Sequence, residues 1–120
     1  MQVNKKDFRS CCSINCSMEI LGDKWTLLII RDALLFGSST YKEFSKNYEG
    51  IASNILSDRL EKLVTWGLFT KEKSESNKLV NIYKPTPIAE DLMPVLLSLN
   101  DWANKYIQDT GDLRQYLKEE

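Results

Sequence analysis

Apolar residues recur at helical spacing between positions 52 and 66, in the most regular segment of the chain. The apolar face of this predicted helix comprises Ala52, Leu56, Leu60, Leu63 and Val64. Gly50 precedes the segment and Gly67 follows it, as expected at the two ends of a helix. The opposite side carries short hydrogen-bonding groups first and cations later, namely Asn54, Ser57, Arg59 and Lys62. Such a helix suits the major groove of DNA, where these groups meet base edges and phosphates. A surface helix of any small domain is the alternative.

Two short runs after this helix alternate in polarity and predict a β-hairpin over residues 69–84. A polar turn joins the runs, and Pro85 and Pro87 close the second strand because proline donates no ladder hydrogen bond. The lysines of the hairpin are Lys71, Lys73, Lys78 and Lys84. A lysine-bearing hairpin directly after a polar-faced helix is typical of the wing of a winged helix-turn-helix. A solvated hairpin whose lysines only protect a sheet edge is the alternative.

Two further helices are predicted before this helix, which spans residues 51–66. We expect the first over residues 22–35, with Asp23 as its N-cap. The second is short, over residues 41–46, with Thr40 as its N-cap. Residues 47–50 are then the turn that joins this short helix to the 51–66 helix.

The last predicted helix runs from residue 87 to residue 107 and is kinked at Pro94, which lacks a backbone donor. Its long apolar stripe comprises Ile88, Leu92, Val95, Leu96, Leu99, Trp102, Ala103 and Tyr106. An N-terminal helix covers part of the stripe with Ile14, Met18 and Ile20. We expect the remainder to pair with the same helix of a second subunit in a two-fold dimer. The alternative is a helix that folds back on its own monomer.

These elements predict a mainly α fold with a small β-hairpin wing: a winged helix-turn-helix whose N- and C-terminal helices form a dimer interface. With 120 residues, the chain is long enough for one modest core. We therefore expect a single domain over residues 1–120. It divides into an N-terminal arm or helix (1–20), a DNA-binding core (21–86) and a C-terminal dimerisation helix with its tail (87–120).

Several motifs occur in the order and spacing of a known family. They are Cys12, the run LGDKWTLLIIRD at 21–32, YKEF at 41–44 and EGIASNILSDRL at 49–60. Over positions 9–103 the chain resembles the HxlR-type winged helix-turn-helix transcriptional regulators. The resemblance implies a sequence-specific dimeric regulator that binds double-stranded DNA at an inverted-repeat operator. The family commonly has proline on both sides of the cysteine and a Leu and a Gly after the hairpin. The departures here are Cys11, Ser13, Pro85 and Ala89.

Each candidate DNA contact has an expected role. The residues expected to brace the DNA backbone are Thr40, Tyr41 and Lys42. The residues expected to reach base edges are Ser53, Asn54 and Ser57. Arg59 is expected to contact a phosphate or a guanine, and Lys62 is a flanking contact. The wing residues expected at the minor groove or its phosphates are Lys73 and Lys78, which add salt-sensitive affinity.

The cysteines Cys11, Cys12 and Cys16 cluster near the N-terminus, within reach of Arg9 and Lys6, whose charges favour a thiolate. The resemblance places Cys12 where some family members carry a thiol that senses oxidants or electrophiles. A packed, small apolar side chain is the alternative for Cys12, and a disulfide within or between subunits is conceivable. Three thiols without a fourth ligand argue against a structural zinc site. We expect no metal and no cofactor, and the sequence names no small-molecule effector.

The composition limits the class of protein. A net charge of −1 opposes DNA binding, but residues 1–40, 41–84 and 85–120 carry +1, +2 and −4, so the acidity lies in the tail. The sequence has no histidine and no glycine-rich phosphate loop, and we expect no enzyme. It has no apolar stretch of membrane-span length and no signal-peptide core. A cytoplasmic protein without a membrane partner is expected.

The near-neutral charge supports an alternative function, a winged-helix protein-interaction module without DNA binding. A partner-binding face exposes apolar anchors, whereas the 51–66 helix exposes serine and asparagine, which favours a DNA reader. A thiol-redox enzyme built on Cys12 is a third possibility, and it lacks a catalytic base.

Overall fold

A computed structural model of the chain describes residues 7–117, which form α-helices, a 3₁₀ helix and a two-stranded antiparallel sheet. The elements are α1 (Ser13–Leu21), α2 (Thr26–Leu35), α3 (Tyr41–Phe44), α4 (Ser53–Thr65), β1 (Phe69–Lys73), β2 (Asn81–Pro85), α5 (Pro87–Glu90), α6 (Met93–Tyr106) and the 3₁₀ helix Leu113–Tyr116. This order confirms the predicted mainly α fold with a hairpin wing. The start of the predicted arm (1–6) and the end of the tail (118–120) lie outside the described residues. No helix within the described range is long and apolar enough to span a bilayer.

The core lies where α2 meets the helix-turn-helix and the wing. Ile29 and Ile30 of α2 are completely buried. Phe44 of α3 stacks on Phe69 of β1 with their ring centroids 6.0 Å apart. The largest buried side chains of α4 are Leu56, Leu60 and Leu63. Burial of these side chains removes apolar surface from water and fixes α3, α4 and β1 on α2.

The predicted apolar face of α4 is right for its three leucines and wrong at its first member. Ala52 is exposed, because its backbone is extended (φ −69°, ψ 147°) and it precedes the first turn of the helix. The neighbouring Ile51 is buried in its place. Gly67 adopts φ 82°, a left-handed conformation that turns the chain from α4 into β1.

Helix α2 begins four residues later than predicted. The N-cap is Trp25, so the prediction of Asp23 as the N-cap is wrong. The Asp23 carboxylate nevertheless accepts hydrogen bonds from the N–H groups of Trp25 (2.8 Å) and Thr26 (3.0 Å). Residues 23–25 form a bend before the helix, and Thr26 is its first residue. A carboxylate that bonds two successive N–H groups makes this bend an Asx turn, which local sequence pattern does not separate from a helix start.

Helix α3 is capped by Thr40, as predicted, and is shorter than predicted. The capping box is complete, with Thr40 and Glu43 each accepting a hydrogen bond from the other's backbone N–H. The helix ends at Phe44, since the N–H of Lys46 bonds to the carbonyl of Glu43, three residues back. Ser45 and Lys46 therefore belong to the turn.

The predicted single helix from 87 to 107 is two helices. Pro94 has no N–H for the carbonyl of Glu90, so a continuous helix would lose that bond. The chain instead breaks at Asp91 and Leu92, where the N–H of Leu92 bonds to the carbonyl of Ala89 at 2.9 Å. Pro94 then lies in the first turn of α6, where its missing donor costs nothing. The kink predicted at Pro94 is therefore a break between α5 and α6.

Residues 110–117, the C-terminal strap, fold back over α6. Asn100 accepts from the N–H of Leu113 at 2.8 Å, and Asn104 donates to the carbonyl of Gly111 at 2.9 Å. Arg114 pairs with Asp101, with one N···O distance of 2.9 Å. The strap thereby reaches the end of α2.

Gly22, between α1 and α2, provides a test of this packing. Its φ of −79° suits any residue, but a Cβ would overlap the carbonyl oxygen of Met18 and lie 3.2 Å from the Met18 Cα. Gly22→Ala is therefore expected to lower the free energy of unfolding by about 1–3 kcal/mol through overpacking, measured by urea denaturation. Gly111→Ala is the matched control, because its Cβ meets only Gln115 Nε2 at 4.0 Å. Equal stability of the two variants would contradict the packing at Gly22.

Candidate nucleic-acid interface

The turn between α3 and α4, residues 45–52, is fixed to α2 by one arginine. Arg31 donates to both carboxylate oxygens of Glu49, at 2.8 and 2.9 Å, and twice to Oδ1 of Asp32, at 2.8 and 3.0 Å. The bonds to Glu49 raise the pKa of Arg31 and lower that of Glu49, whereas burial raises the pKa of Asp32. Gly50 supplies the left-handed φ of 71° that the turn requires. The direction in which α4 leaves the turn depends on this anchor.

Side chains of α3 position that helix against α4. The Glu43 carboxylate accepts from the N–H groups of Ser39 (2.9 Å) and Thr40 (3.1 Å), and the Ser39 bond contributes most to its lowered pKa. The Tyr41 hydroxyl donates to the carbonyl of Ser53 at 3.2 Å. Thr40 and Tyr41 therefore have structural partners, and their contact with the DNA backbone stays a prediction.

The structure brings α3, α4 and the wing together around two open grooves. One groove, of about 320 Å³, lies between Ser57 and Glu61 of α4, Tyr41 of α3, and Lys71 and Tyr83 of the wing. The other, of about 560 Å³, runs from α3 to the tip of the wing. The sequence-predicted contacts exposed on these elements are Tyr41, Lys42, Ser53, Asn54, Ser57, Lys62, Lys73 and Lys78. Their contacts with DNA remain predictions.

Sequence reasoning missed two exposed carboxylates on α4. Asp58 pairs with Lys62 at 3.2 Å and with Arg59, and Lys62 contributes most to the lowered pKa of Asp58. Glu61 lines the groove beside the wing. The four-residue spacing of Asp58 and Lys62 was the available signal. A carboxylate on such a helix accepts a hydrogen bond from the amino group of cytosine, so Asp58 joins the candidate base contacts.

Arg59 lies against the protein. Its side chain is 23% exposed and donates to Asp23 at 3.1 Å, across 36 residues of sequence. Asp23 is thereby shared between the start of α2 and the middle of α4. Burial opposes ionisation of Asp23, but the Thr26 hydroxyl, two backbone N–H groups and Arg59 outweigh it and lower its pKa. Arg59 thus positions α4, and its predicted contact with a phosphate or guanine stays untested.

The wing is fixed at its base and exposed at its tip. The Tyr83 N–H donates to the carbonyl of Ser39 at 2.7 Å, which ties β2 to the start of α3. Lys84 pairs with Glu72 at 2.6 Å across the hairpin, so its charge is partly matched. The tip carries Lys78 beside Leu79, which is 91% exposed.

Cys11 and Cys12 precede α1 and are exposed, whereas Cys16 lies within α1 and is partly buried, and all three thiols are free. Cys12 is therefore not packed within residues 7–117 of one chain. The backbone N–H groups of Asn15 and Ile14, at the helix N-terminus, lower the pKa of the Cys12 thiol. Arg9, expected to have this effect, pairs instead with Glu19 at 2.7 Å, and Lys6 lies outside the described residues. Residues 7–117 hold no cluster of metal ligands.

The apolar stripe predicted on the last helix is covered in its first half, where Leu96 is buried and Ile88 and Leu92 pack against the core, and is mostly exposed in its second half. Trp102 and Tyr106 are 60% and 64% exposed, with their rings 5.6 Å apart. The apolar residues of α1 that share this exposure are Ile14 and Met18. An exposed apolar surface of this extent marks an interaction site.

The chain matches the model of the HxlR-like helix-turn-helix family over residues 20–111. An uncharacterized HTH-type transcriptional regulator of Mycobacterium tuberculosis is 34% identical over 95 residues, which cover 79% of this chain. The chain spans 59% of the length of that relative. The HTH-type regulator YdeP of Bacillus subtilis is 29% identical over 100 residues, covering 83% of this chain and 77% of YdeP.

Solved structures have the same architecture. PA1607, described as a candidate transcription factor, is 31% identical, with a TM-score of 0.76 over 86% of this chain and 72% of PA1607. The reduced transcriptional regulator YodB of Bacillus subtilis has a TM-score of 0.66 at 22% identity, covering 85% of this chain and 99% of YodB. At that identity YodB indicates the fold alone. The family match includes the motifs at 21–32, 41–44 and 49–60, and it confirms the resemblance drawn from them.

The Asp23–Arg59 pair can be tested with a double-mutant cycle of Asp23→Ala and Arg59→Ala. At pH 7 we expect a coupling free energy of about 0.5–1 kcal/mol by urea denaturation, because both groups are partly exposed. The folded-state pKa of Asp23 is lowered. The coupling is therefore present above the unfolded pKa of about 3.9 and is lost as pH falls through the lower folded value.

The control cycle combines Asp23→Ala with Arg114→Ala, since Arg114 pairs with Asp101 on the C-terminal strap. These two changes are expected to be additive. Additivity of Asp23→Ala and Arg59→Ala at pH 7 would show that the pair does not position α4.

Proposed function

The chain belongs to the HxlR-like helix-turn-helix family, and from this membership we propose that it is a sequence-specific DNA-binding transcriptional regulator that acts as a homodimer. The observation that carries the proposal is the exposed polar N-terminal half of α4 beside a lysine-bearing wing. Asn54 and Ser57 lie on that half, and no large apolar side chain is exposed there. A partner-binding helix would present apolar anchors instead.

Base readout is assigned to the first two turns of α4. Ser53, Asn54 and Ser57 reach base edges, and Asn54 has the donor and acceptor that match adenine in the major groove. Asp58 accepts from the amino group of cytosine. Arg59 holds α4 in place through its pair with Asp23. It therefore affects DNA binding by positioning the side chains that contact bases.

Affinity for the backbone comes from cations around this helix. Lys42 on α3, Lys62 on α4, and Lys73 and Lys78 on the wing are exposed and approach phosphates, with Thr40 and Tyr41 bracing the backbone beside α3. Such contacts are independent of sequence and weaken with added salt.

The dimer is formed by the exposed apolar residues of α1 and α6. Two copies that bury Trp102, Tyr106 and Ile14 against each other place their α4 helices on one face of the duplex. Half-sites in such a complex lie about 34–36 Å apart, one helical turn, and the operator is an inverted repeat. The active protein is expected in the cytoplasm, where DNA is accessible.

A protein-interaction module without DNA binding is the second candidate. Two observations favour it: the net charge of −1, and the carboxylates of Asp58 and Glu61 on the exposed face of α4. The negative net charge and these two carboxylates repel the phosphates of DNA.

Selection of binding sites from a random duplex pool distinguishes the two functions. The reduced protein is expected to enrich an inverted repeat with half-sites one helical turn apart. Asn54→Ala is expected to relax the preference at one base pair of each half-site, at a cost of about 1–3 kcal/mol against the preferred base. Lys73→Ala is the matched comparison. It should retain the sequence preference and reduce the slope of log affinity against log salt by about 1 per subunit.

No enrichment by a protein shown to be folded and dimeric would contradict DNA reading and favour the interaction module. Equal effects of Asn54→Ala and Lys73→Ala on every base pair would contradict the assignment of α4 to the major groove.

We also propose that Cys12 makes DNA binding responsive to electrophiles. Because the pKa of the Cys12 thiol is lowered, a larger fraction of it is thiolate at neutral pH than for an ordinary cysteine. N-ethylmaleimide is expected to label Cys12 before Cys11, as followed by mass spectrometry. The thiolate sulfur adds to the maleimide C=C bond: the carbon–sulfur bond forms, the C=C π bond breaks, and the resulting enolate takes a proton from water. Labelling of Cys12, at the N-terminal end of α1, is expected to change the DNA affinity of the wild type and of Cys11→Ser. Cys12→Ser is expected to be insensitive. A faster reaction at Cys11, or unchanged affinity after labelling, would contradict this role.

A further inference from the structure

The tip of the wing, residues 74–80, presents one large apolar side chain to solvent. Leu79 is 91% exposed, the highest fraction among the large apolar side chains of residues 7–117. An isolated exposed leucine is common on protein surfaces. Leu79 differs from such a residue in its position, because it lies at the end of a hairpin that borders both α3 and α4. None of the roles proposed above for DNA contact, dimer formation or the thiol uses it.

The backbone of the tip is fixed by its own hydrogen bonds. The Oδ1 of Asn77 accepts from the Leu79 N–H at 3.0 Å, and the carbonyl of Asn77 accepts from the Val80 N–H at 2.9 Å. The Ser74 N–H donates to the carbonyl of Val80 at 2.9 Å and closes the end of the hairpin. Leu79 is therefore held by an ordered backbone, so little conformational entropy of the chain is lost when this side chain enters a partner.

The charge around Leu79 favours a polyanion as its partner. Lys73, at the end of β1, and Lys78, the residue before Leu79, are both exposed. Glu75 is the carboxylate of the tip, so residues 73–80 have two cations and one anion and a net charge of +1. A cationic surface attracts phosphates over distances of several ångströms. An apolar side chain among these lysines would therefore meet DNA more readily than an apolar partner surface.

The size of the apolar area also distinguishes the partners. A specific protein–protein interface buries about 1,200–2,000 Å² in total and depends on several apolar anchors. The apolar part of the tip is Leu79 with the partly buried Val80, which is far less than such an interface requires. It is enough for a wedge, because proteins that bind the minor groove insert apolar side chains such as leucine between stacked base pairs and kink the duplex.

The groove between α3 and the tip is where one strand of the DNA backbone would pass. Its volume is about 560 Å³, and it is lined by Leu79 and Val80 on the wing and by Tyr41 and Lys42 on α3. In the proposed complex α4 lies in the major groove and the wing lies at the minor groove, and a sugar–phosphate strand separates these two grooves of the duplex. Lys42 suits a phosphate of that strand, and the apolar wall suits its deoxyribose rings. Leu79 then lies on the minor-groove side of the strand.

We propose that Leu79 inserts as a wedge between two stacked base pairs in the minor groove, at a fixed distance from each half-site, and bends the operator towards its major groove. This inference rests on the proposed DNA binding. It adds a position at which specificity comes from deformation of the DNA, without hydrogen bonds to bases. The steps TA and CA/TG unstack more easily than other steps. One such pyrimidine–purine step is therefore expected under each wing of the dimer.

Selection of binding sites with the wild type and with Leu79→Ala is the first test. The wild type is expected to enrich a pyrimidine–purine step at one fixed distance from each half-site. Leu79→Ala is expected to enrich the same inverted repeat without that step, and to bind the operator of the wild type about fivefold or more weakly. Its urea midpoint is expected to equal that of the wild type, because the side chain is exposed.

Two further variants separate a wedge from a general loss of affinity. Leu79→Met keeps a long apolar side chain and is expected to restore both the affinity and the preference for the step. Lys73→Ala is the matched control on the wing, and it is expected to lose affinity and to keep the preference for the step.

2-Aminopurine in the selected operator tests the insertion directly, because its fluorescence rises when it leaves the base stack. It replaces, one position at a time, each adenine in the sequence beside the half-sites, including the adenine of the step. Saturating wild type and Leu79→Met are expected to raise the fluorescence at the step. Saturating Leu79→Ala is expected to leave it unchanged.

Three outcomes would overturn the wedge and leave the proposed DNA binding in place. They are an enriched inverted repeat without the step, a Leu79→Ala variant with the operator affinity of the wild type, and 2-aminopurine fluorescence that the bound wild type changes at no position. Leu79 would then be left for a protein partner. No enrichment of any site by a folded, dimeric protein would instead refute the proposed function, and the wedge with it.

Discussion

The guanidinium of Arg31 is the contact on which the geometry of the helix-turn-helix depends. It joins α2, the most deeply buried helix, to the turn between α3 and α4 through two carboxylates. Its side chain is only 12% exposed, so removing either partner leaves charge with little solvent around it. Apolar packing of Leu56, Leu60 and Leu63 tolerates small rotations of α4, whereas a bidentate pair does not. The apolar core therefore fixes which face of α4 is buried, and Arg31 fixes its direction.

Two sets of exposed residues within 7–117 differ in chemistry. The outer face of α4 carries polar groups, with Asp58 paired to Lys62, and the wing carries exposed lysines near its tip. The exposed residues of α1 and α6 include the apolar side chains of Ile14, Trp102 and Tyr106. A polar groove beside lysines suits a polyanion, and an apolar face suits another protein surface. The proposed function uses the first set for DNA and the second for the dimer.

Features determined by neighbouring residues were predictable from the sequence. The hairpin, the leucine face of α4 and the Thr40 cap follow from spacing over a few residues, and the structure has all three. Contacts between distant segments were not predictable. Arg59 looked like a free cation on a polar face, and only the fold brings Asp23 to it from 36 positions away. The break at Leu92 was predictable only in part. Pro94 predicted an interruption of the helix, but packing on either side decides whether the helix bends or ends and begins again.

The break between α5 and α6 at Asp91 and Leu92 bears on two separate properties of a dimeric regulator: which bases it recognises and how far apart its half-sites lie. The Thr86 hydroxyl and N–H donate to the carbonyls of Gly67 and Leu68, so the start of α5 is fixed to the segment between α4 and β1. Helix α6 is a separate helix that begins at Met93, after the break. In a dimer built on α6, side chains on α4 would determine which bases are recognised. The angle at the joint between α5 and α6 would determine how many base pairs separate the two half-sites. A substitution at this joint would then change the operator spacing without altering a residue of α4.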